Sequence, residues 1–332
     1  MSPKVTIIVP VYNTARYLFD CIKSLENLDF DSYEVILIDN NSQDDSFKIL
    51  KNIKKKHFRI YRNKKNFGQS YSLNKGIRLS KAPYVAIMDS DDICLSNRIK
   101  DSYNFLKNNQ DYTLVAGMSD TINSSGKILK KRRFTLDPDL LKIRILIENP
   151  ISHTTAMFKK SNLKKLGGYS TKLSYTQDYN LFSKIILNNL KFKILNKKFT
   201  LVRKHVNQQS FINRKKQLIE NFKISLKNLR KKNKNTRNYM SFIKLVIFSE
   251  NGNFEKLNSL QKKKIINDFL KKTFINDKLR FYFCSLIFSR KINLEKKLKL
   301  HFLINYLVKN KFLFFKKELA QRFCKSLLNV IF

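Results

Sequence analysis

The amino-terminal part of the chain alternates short apolar runs with segments whose apolar residues recur at helical spacing. Val5-Thr6-Ile7-Ile8-Val9-Pro10 is rich in β-branched residues and reads as a buried strand halted by proline. Leu18, Cys21, Ile22 and Leu25 then mark one face of a helix within residues 15–28. Glu34-Val35-Ile36-Leu37-Ile38-Asp39 reads as a second buried strand. A polar loop, residues 40–45, follows it, with Ser42 or Asp44 placed to cap a helix running to about Lys55. Phe58-Arg59-Ile60-Tyr61 supplies a third strand, Asn66-Phe67-Gly68 a turn, residues 70–79 a helix, and Tyr84 to Met88 a fourth strand. Strand and helix in alternation predict an α/β fold with a mostly parallel central sheet covered on both faces. In such sheets ligands bind at the carboxyl ends of the strands, where the acids and polar loops of this chain fall.

The fourth strand runs straight into Asp89-Ser90-Asp91-Asp92. Carboxylates next to a low-dielectric interior are costly to desolvate unless something compensates them. A hard divalent cation, Mg²⁺ or Mn²⁺, would do so, and it would also bind substrate phosphate. Residues i and i+2 of an extended chain point the same way, so Asp89 and Asp91 can face one ligand together. The competing reading is an acidic turn that only ends a strand, and Asp92 also reads as the cap of a helix beginning near Ser96. No Gly-x-Gly-x-x-Gly follows the first strand and no Gly-Lys-Ser/Thr loop occurs, so neither dinucleotide binding nor a P-loop is indicated.

Composition changes the picture in one respect. Over 332 residues the hydrophobic content of 42% is that of a globular protein, but the net charge is +42. Such a charge suits a polyanion, an anionic membrane or a phosphorylated substrate equally well. Lys far outnumbers Arg, the residue that reads base edges bidentately, so nucleic acid is not the expected partner. The cysteines (Cys21, Cys94, Cys284, Cys324) form no Cys-x-x-Cys pair and read as free thiols of a reducing compartment. Neither a signal peptide nor an uninterrupted apolar window of membrane-spanning length is apparent, and the expected location is cytoplasmic.

Taken in order, Val9-Pro10-Val11-Tyr12-Asn13, Ile38-Asp39-Asn40-Asn41-Ser42, Asn66-Phe67-Gly68 and Met88-Asp89-Ser90-Asp91-Asp92 resemble the inverting family 2 glycosyltransferases of bacterial surface-polysaccharide type. Asn149-Pro150-Ile151-Ser152-His153, Gly167-Gly168-Tyr169 and Gln177-Asp178-Tyr179-Asn180-Leu181 continue the match, which covers about residues 4–210. The resemblance implies a GT-A nucleotide-sugar-binding domain and a metal-dependent inverting transfer. By it, Pro10, Tyr12, Asn13, Asn66 and Gly68 match donor-binding positions. Asp39 matches the acid that accepts a hydrogen bond from the ring N–H of uracil or thymine, a role suited to an acceptor-only carboxylate. Asp89 matches a contact to ribose or the metal's water shell, and Asp91 the metal ligand. Asp178 matches the general base that takes the proton of the acceptor hydroxyl. Gln177 stands where the family commonly carries Glu, so the charge beside that base differs. His153 matches a loop on the acceptor side. His205 matches a late segment that closes over the diphosphate and could complete the metal site, with Arg203 and Lys204 beside it as diphosphate contacts.

The resemblance places a catalytic domain at 1–213 and leaves a basic region, 214–332, in which Gly252 is the only Gly or Pro. That region reads as helical, with breaks near 231–235 and 251–253. Its apolar stretches 281–288 and 300–308, flanked by Lys, suit either a membrane interface or a bundle with a solvated basic face. The expected partners are a nucleotide-sugar donor, a saccharide or lipid-linked saccharide acceptor and an anionic membrane surface, which would place the protein peripherally at the inner face of the cell membrane. Two other classes remain open: a non-catalytic basic protein on a GT-A-like scaffold, and a nucleotidyltransferase, which would need a Gly-rich phosphate loop where Pro10-Val11-Tyr12-Asn13 stands.

Overall fold

The structure, a computed structural model, describes residues 2–131, 141, 145–146 and 149–232. Strand β1 (Val5–Val11) lies in parallel register between β2 (Tyr33–Asp39) and β4 (Tyr84–Ile87), and β3 (Phe58–Arg62) pairs in parallel with β2. Helices α1 (Ala15–Glu26), α2 (Ser46–Lys51) and α3 (Gln69–Leu79) make the crossovers. The strand β1 is buried at every position because both faces are covered. Val5, Ile7 and Val9 pack with Leu18, Ile22 and Leu25 of α1, whereas Ile8 packs with Leu73 and Ile77 of α3. Glycine at 76 permits that second layer, since a Cβ there would sit 2.5 Å from the Ile8 side chain.

The remaining strands are β5 (Ile93–Cys94), β6 (Tyr112–Ile122), β7 (Ile128–Lys130), β8 (Met157–Lys159) and β9 (Lys191–Arg203). They extend the sheet in the order β3-β2-β1-β4-β8-β6-β9-β5, with β7 paired to β6. Here the pairing is mixed: β8 is antiparallel to β4 and β6, β9 is parallel to β6, and β5 is antiparallel to β9. Helix α4 (Arg98–Asn108) packs on the α1 face, through Ile99 and Leu106. Helices α5 (Lys160–Lys165) and α6 (Gln177–Leu187) pack on the α3 face, through Leu163, Leu181, Phe182 and Ile185.

Three local expectations are corrected. Pro10 does not end the first strand, which runs to Val11; residue 10 faces the β4 side, where pairing stops at Ile8↔Ile87, so its missing N–H costs no ladder bond. Helix α2 stops at Lys51 rather than near Lys55, ahead of three consecutive lysines, and Asp44 accepts the Ser46 amide without being its N-cap. Asp92 caps no helix, because the short β5 intervenes before α4, whose N-cap is Asn97.

Helices α7 (Gln209–Ile212) and α8 (Arg214–Lys232) follow β9. The chain divides into compact units at residues 1–224 and 225–332, so α8 contributes to both. The apolar stretches 281–288 and 300–308, and with them the membrane reading of that region, lie outside the described residues, as do Cys284 and Cys324. No helix of the described residues is long and apolar enough to cross a membrane.

Candidate active site

The carboxyl ends of β1, β2 and β4 open onto a cleft of about 940 Å³. Three loops form one wall, and side-chain amides tie them together. Asn13, at φ +52, donates its backbone N–H to Ser42 Oγ (3.1 Å) and accepts the Gln43 amide on Oδ1 (2.8 Å). Asn40 donates to Asn66 Oδ1 (2.6 Å) and accepts the Phe67 amide (3.1 Å). Gly68, at φ +85, gives the turn its left-handed step into α3, a conformation that costs glycine little. Pro10, Tyr12, Asn13, Asn66 and Gly68 all line the cleft. Asp39 does not. Its carboxylate is fully buried behind that wall, 3.0 Å from the half-exposed Arg62 guanidinium and 3.2 Å from the Ser42 amide.

The acidic run after β4 is held by one fully buried arginine, Arg203, and a second, Arg98, braces the strand that leads into it. Arg98 of α4 donates to the Ile87 carbonyl (2.5 Å) and sits against Met88. Arg203, at the end of β9, donates its amide to Asp92 Oδ1 (2.9 Å), its Nε to the Asp91 carbonyl (2.9 Å) and its Nη2 to Asp20 (2.9 Å). Its guanidinium is therefore occupied in holding the acidic loop and does not line the cleft, which corrects the diphosphate role expected for it. Asp92 is buried, and burial, with Asp91 and Asp89 adding to it, pushes its carboxyl well above the usual range.

Asp89 and Asp91 both reach the cleft, in different company. Asp91 Oδ2 lies 3.0 Å from Nε2 of His205, whose ring packs on Tyr17 at 4.5 Å between centroids. Asp89 Oδ1 accepts Nε2 of Gln69 (3.1 Å) and lies 3.8 Å from Nδ1 of His153. Among the described residues no group of three or more His, Cys, Asp and Glu side chains surrounds a cation position. Asp91 and His205 nevertheless form a carboxylate–imidazole pair opening on the cleft. That donor set fits a divalent ion completed by phosphate oxygens and water.

Asp178 also lines the cleft, in the first turn of α6. It accepts the Tyr179 amide (2.8 Å) and Asn149 Nδ2 (2.7 Å), bonds that fix the carboxylate. Desolvation raises its pKa, while the positive charge of His153 and the Tyr179 amide pull the other way. Glu220 of α8 secures the approach to this helix by accepting the Ser174 and Tyr175 amides and the Thr176 hydroxyl. His153 stands beside Asp89. Burial pulls its pKa down, but the Asp89 and Asp178 carboxylates outweigh burial and raise it, and Nε2 meets the Tyr169 hydroxyl at 2.9 Å.

Gln69 and Gln177, which no sequence motif marks as site residues, link the helix that carries Asp178 to Asp89. Gln177 Nε2 donates to Gln69 Oε1 (2.6 Å), and Gln69 in turn donates to Asp89. The signal available was positional, since each opens a helix whose N-terminus faces the cleft. Cys21 and Cys94 are free and buried, and desolvation raises both thiol pKa values, so they are unreactive filler of the core.

Comparison with known proteins agrees with this geometry. The model for "Glycosyl transferase family 2" matches residues 6–167. An uncharacterized glycosyltransferase of Methanocaldococcus jannaschii is 30% identical over 258 residues, 75% of this chain and 87% of that protein. The O-antigen biosynthesis glycosyltransferase WbnJ of Escherichia coli is 29% identical over 188 residues, 55% and 71% of the two chains. Among solved structures, TarS residues 1–349 of S. aureus in complex with UDP-GlcNAc aligns over 98% of this chain and 90% of that one, with a TM-score of 0.58 at 18% identity. Mannosyltransferase PcManGT of Pyrobaculum calidifontis, in complex with GDP-Man and Mn²⁺, covers 68% and 65%, with a TM-score of 0.53 at 18% identity. These likenesses show the GT-A fold.

Proposed function

The chain belongs to glycosyl transferase family 2, and from that premise we propose that it moves a sugar from a UDP- or dTDP-sugar to a saccharide or lipid-linked saccharide hydroxyl, with inversion, in cell-surface polysaccharide or lipopolysaccharide synthesis. The observation that carries this reading is that one cleft is lined both by the Asp91–His205 pair and by Asp178. The nucleotide lies along Tyr12, Asn13 and Asn66. Asp39 supports that wall from behind, through Ser42 and Arg62. Asp91 and His205 would hold Mg²⁺ or Mn²⁺, and the mannosyltransferase neighbour's complex with Mn²⁺ supports a metal of this kind. Such an ion supplies Lewis-acid neutralisation of the charge that develops on the departing diphosphate.

Asp178 takes the proton of the attacking hydroxyl. Its raised pKa suits the role, because desolvation gives the carboxylate more proton affinity than a solvated aspartate has. Asn149 and the Tyr179 amide aim its carboxylate, and a base on the face opposite the leaving group is what in-line inversion requires. His153, whose pKa the Asp89 and Asp178 carboxylates raise, stands beside Asp89 and in its charged form offsets the repulsion between the two acids. The WbnJ relative and the UDP-GlcNAc complex of TarS support a surface-glycan acceptor and a uridine donor, respectively. Screening nucleotide sugars for metal-dependent hydrolysis tests the reading. Release of nucleoside diphosphate from one donor, lost on chelation, is the expected result; no metal-dependent turnover of any donor would overturn it.

A further inference from the structure

Arg203 joins three elements of the fold. Its Nη2 bonds Asp20 on α1, its Nη1 bonds the Ser124 carbonyl in the β6–β7 turn (3.0 Å), and it leads into residues 204–212, where the Lys204 amide donates to the Ile122 carbonyl (2.8 Å). Each element turns a large apolar side chain to solvent. Phe19, next to Asp20, is 66% exposed, Leu129 of β7 57%, Val206 70% and Phe211 64%. Surfaces of soluble monomers seldom gather such residues without a partner.

The charge around them is of one sign. Lys127, Lys130 and Lys204 are exposed beside these side chains. The sequence has no Asp or Glu between Asp120 and Asp137, nor between Asp178 and Glu220, and the carboxylate of Asp20 is paired with Arg203. An anionic bilayer answers both features at once: headgroups attract the lysines by about 1 kcal/mol each, and the acyl boundary takes the apolar side chains. RNA would answer the charge alone and leave Leu129 and Phe211 in water.

We propose that this face seats the protein on an anionic lipid bilayer, with Leu129 and Phe211 entering the boundary between headgroups and acyl chains. Gln208 and Gln209, in the segment that carries Phe211, line the cleft, so the bilayer would lie at its mouth, where a lipid-linked acceptor could enter. Only that last step rests on the transferase reading; the docking itself does not.

The chain contains no tryptophan, so Leu129→Trp and Phe211→Trp each give the full-length protein a single fluorescent reporter. On titration with mixed phosphatidylglycerol–phosphatidylcholine vesicles, both reporters should shift to the blue and be quenched by brominated acyl chains; pure phosphatidylcholine should do neither. Unshifted reporters on protein that co-sediments with the vesicles would place docking elsewhere and overturn the proposal. Emission already blue-shifted before lipid is added, or a shift produced by polyuridylate and not by vesicles, would overturn it too. The double substitution Leu129→Ser/Phe211→Ser should weaken vesicle binding about 10-fold or more. It should leave metal-dependent UDP binding intact, and undiminished vesicle binding by that variant would contradict the assignment.

Discussion

Nε2 of His205 lies 3.0 Å from the Asp91 carboxylate, although 114 positions separate the two in sequence. Strand β9 brings them together by returning beside β6 and delivering the segment after Arg203 to the end of β4. The imidazole is held from the other side by Tyr17 of α1, so the pair is fixed before any ligand arrives. A preformed carboxylate–imidazole pair at a strand end is the feature on which the metal assignment stands.

Removing either member should therefore act on metal-dependent nucleotide binding. Asp91→Ala is expected to weaken Mn²⁺-dependent UDP affinity on the order of 100-fold, and His205→Ala roughly 10- to 100-fold. Calorimetric titration with and without Mn²⁺ checks both. Equal loss in the metal-free titration would point to a folding defect instead.

Asp178→Asn should separate binding from chemistry. Asn149 can still donate to the amide oxygen, so UDP affinity should stay within about twofold, while transfer falls about 10²- to 10⁴-fold. The stability effect has a definite sign. Desolvation raises the folded-state pKa of Asp178, so the ionised carboxylate costs stability above that pKa and costs nothing well below it. The Asn variant escapes that cost but has one acceptor oxygen for the two N–H donors, so its melting temperature should fall further below the parent's in acid than at neutral pH.

His153 governs where the base titrates. Its positive charge lowers the pKa of Asp178, against the stronger effect of desolvation. In His153→Ala the acid limb of the transfer pH profile should move to higher pH, because a less stabilised carboxylate protonates sooner on acidification. An unmoved limb would remove either Asp178 or His153 from this coupling.

The two glutamines have a fixed polarity. Ionised Asp89 can only accept, so Gln69 must present its NH₂ to it, and its carbonyl must then accept from Gln177. Gln177→Glu cannot donate to that carbonyl, and it adds a second negative charge one residue from Asp178. Slower transfer and an acid limb displaced to higher pH are expected, with Gln69→Ala reproducing the slowing but not the displacement.

Arg203→Met should read as a fold defect, not a donor-binding defect. It leaves the Asp91 and Ser124 carbonyls without their donor and half-exposed Asp20 without its partner, while the backbone amide at 203 still holds Asp92, which puts the loss at about 1–3 kcal/mol for buried polar groups left unsatisfied. A lower urea midpoint, with unchanged UDP affinity in the fraction that remains folded, is the expected pattern.

What the sequence made legible, and what it did not, follows from the physics of each element. Strands β1, β2 and β4 are buried on both faces, so their runs are continuously apolar and easily found. Strand β9 is not: Lys191, Lys193, Lys197 and Lys198 interrupt it, and its register against β6 shifts more than once. Gly117 of β6 resembles a strand breaker, yet it is there to admit Phe199, whose ring a Cβ would meet at 2.3 Å. The site shows the same contrast. Asp89, Asp91 and Asp178 stand at strand or helix ends that local pattern marks, and the structure brings them to one cleft. Arg203 carries the same charge whether it meets phosphate or buries itself under Asp91, and only the fold decides which. Arg98 and the Gln69–Gln177 bridge depend wholly on contacts between distant segments, so no local pattern announces them.

Binding of UDP to the full-length chain, measured by calorimetry in Mn²⁺ and again in EDTA, tests the central claim most directly. Affinity present in Mn²⁺ and weakened on the order of 100-fold both by EDTA and by Asp91→Ala is the result this account predicts. UDP binding of equal strength in EDTA, or undiminished in Asp91→Ala, would contradict it.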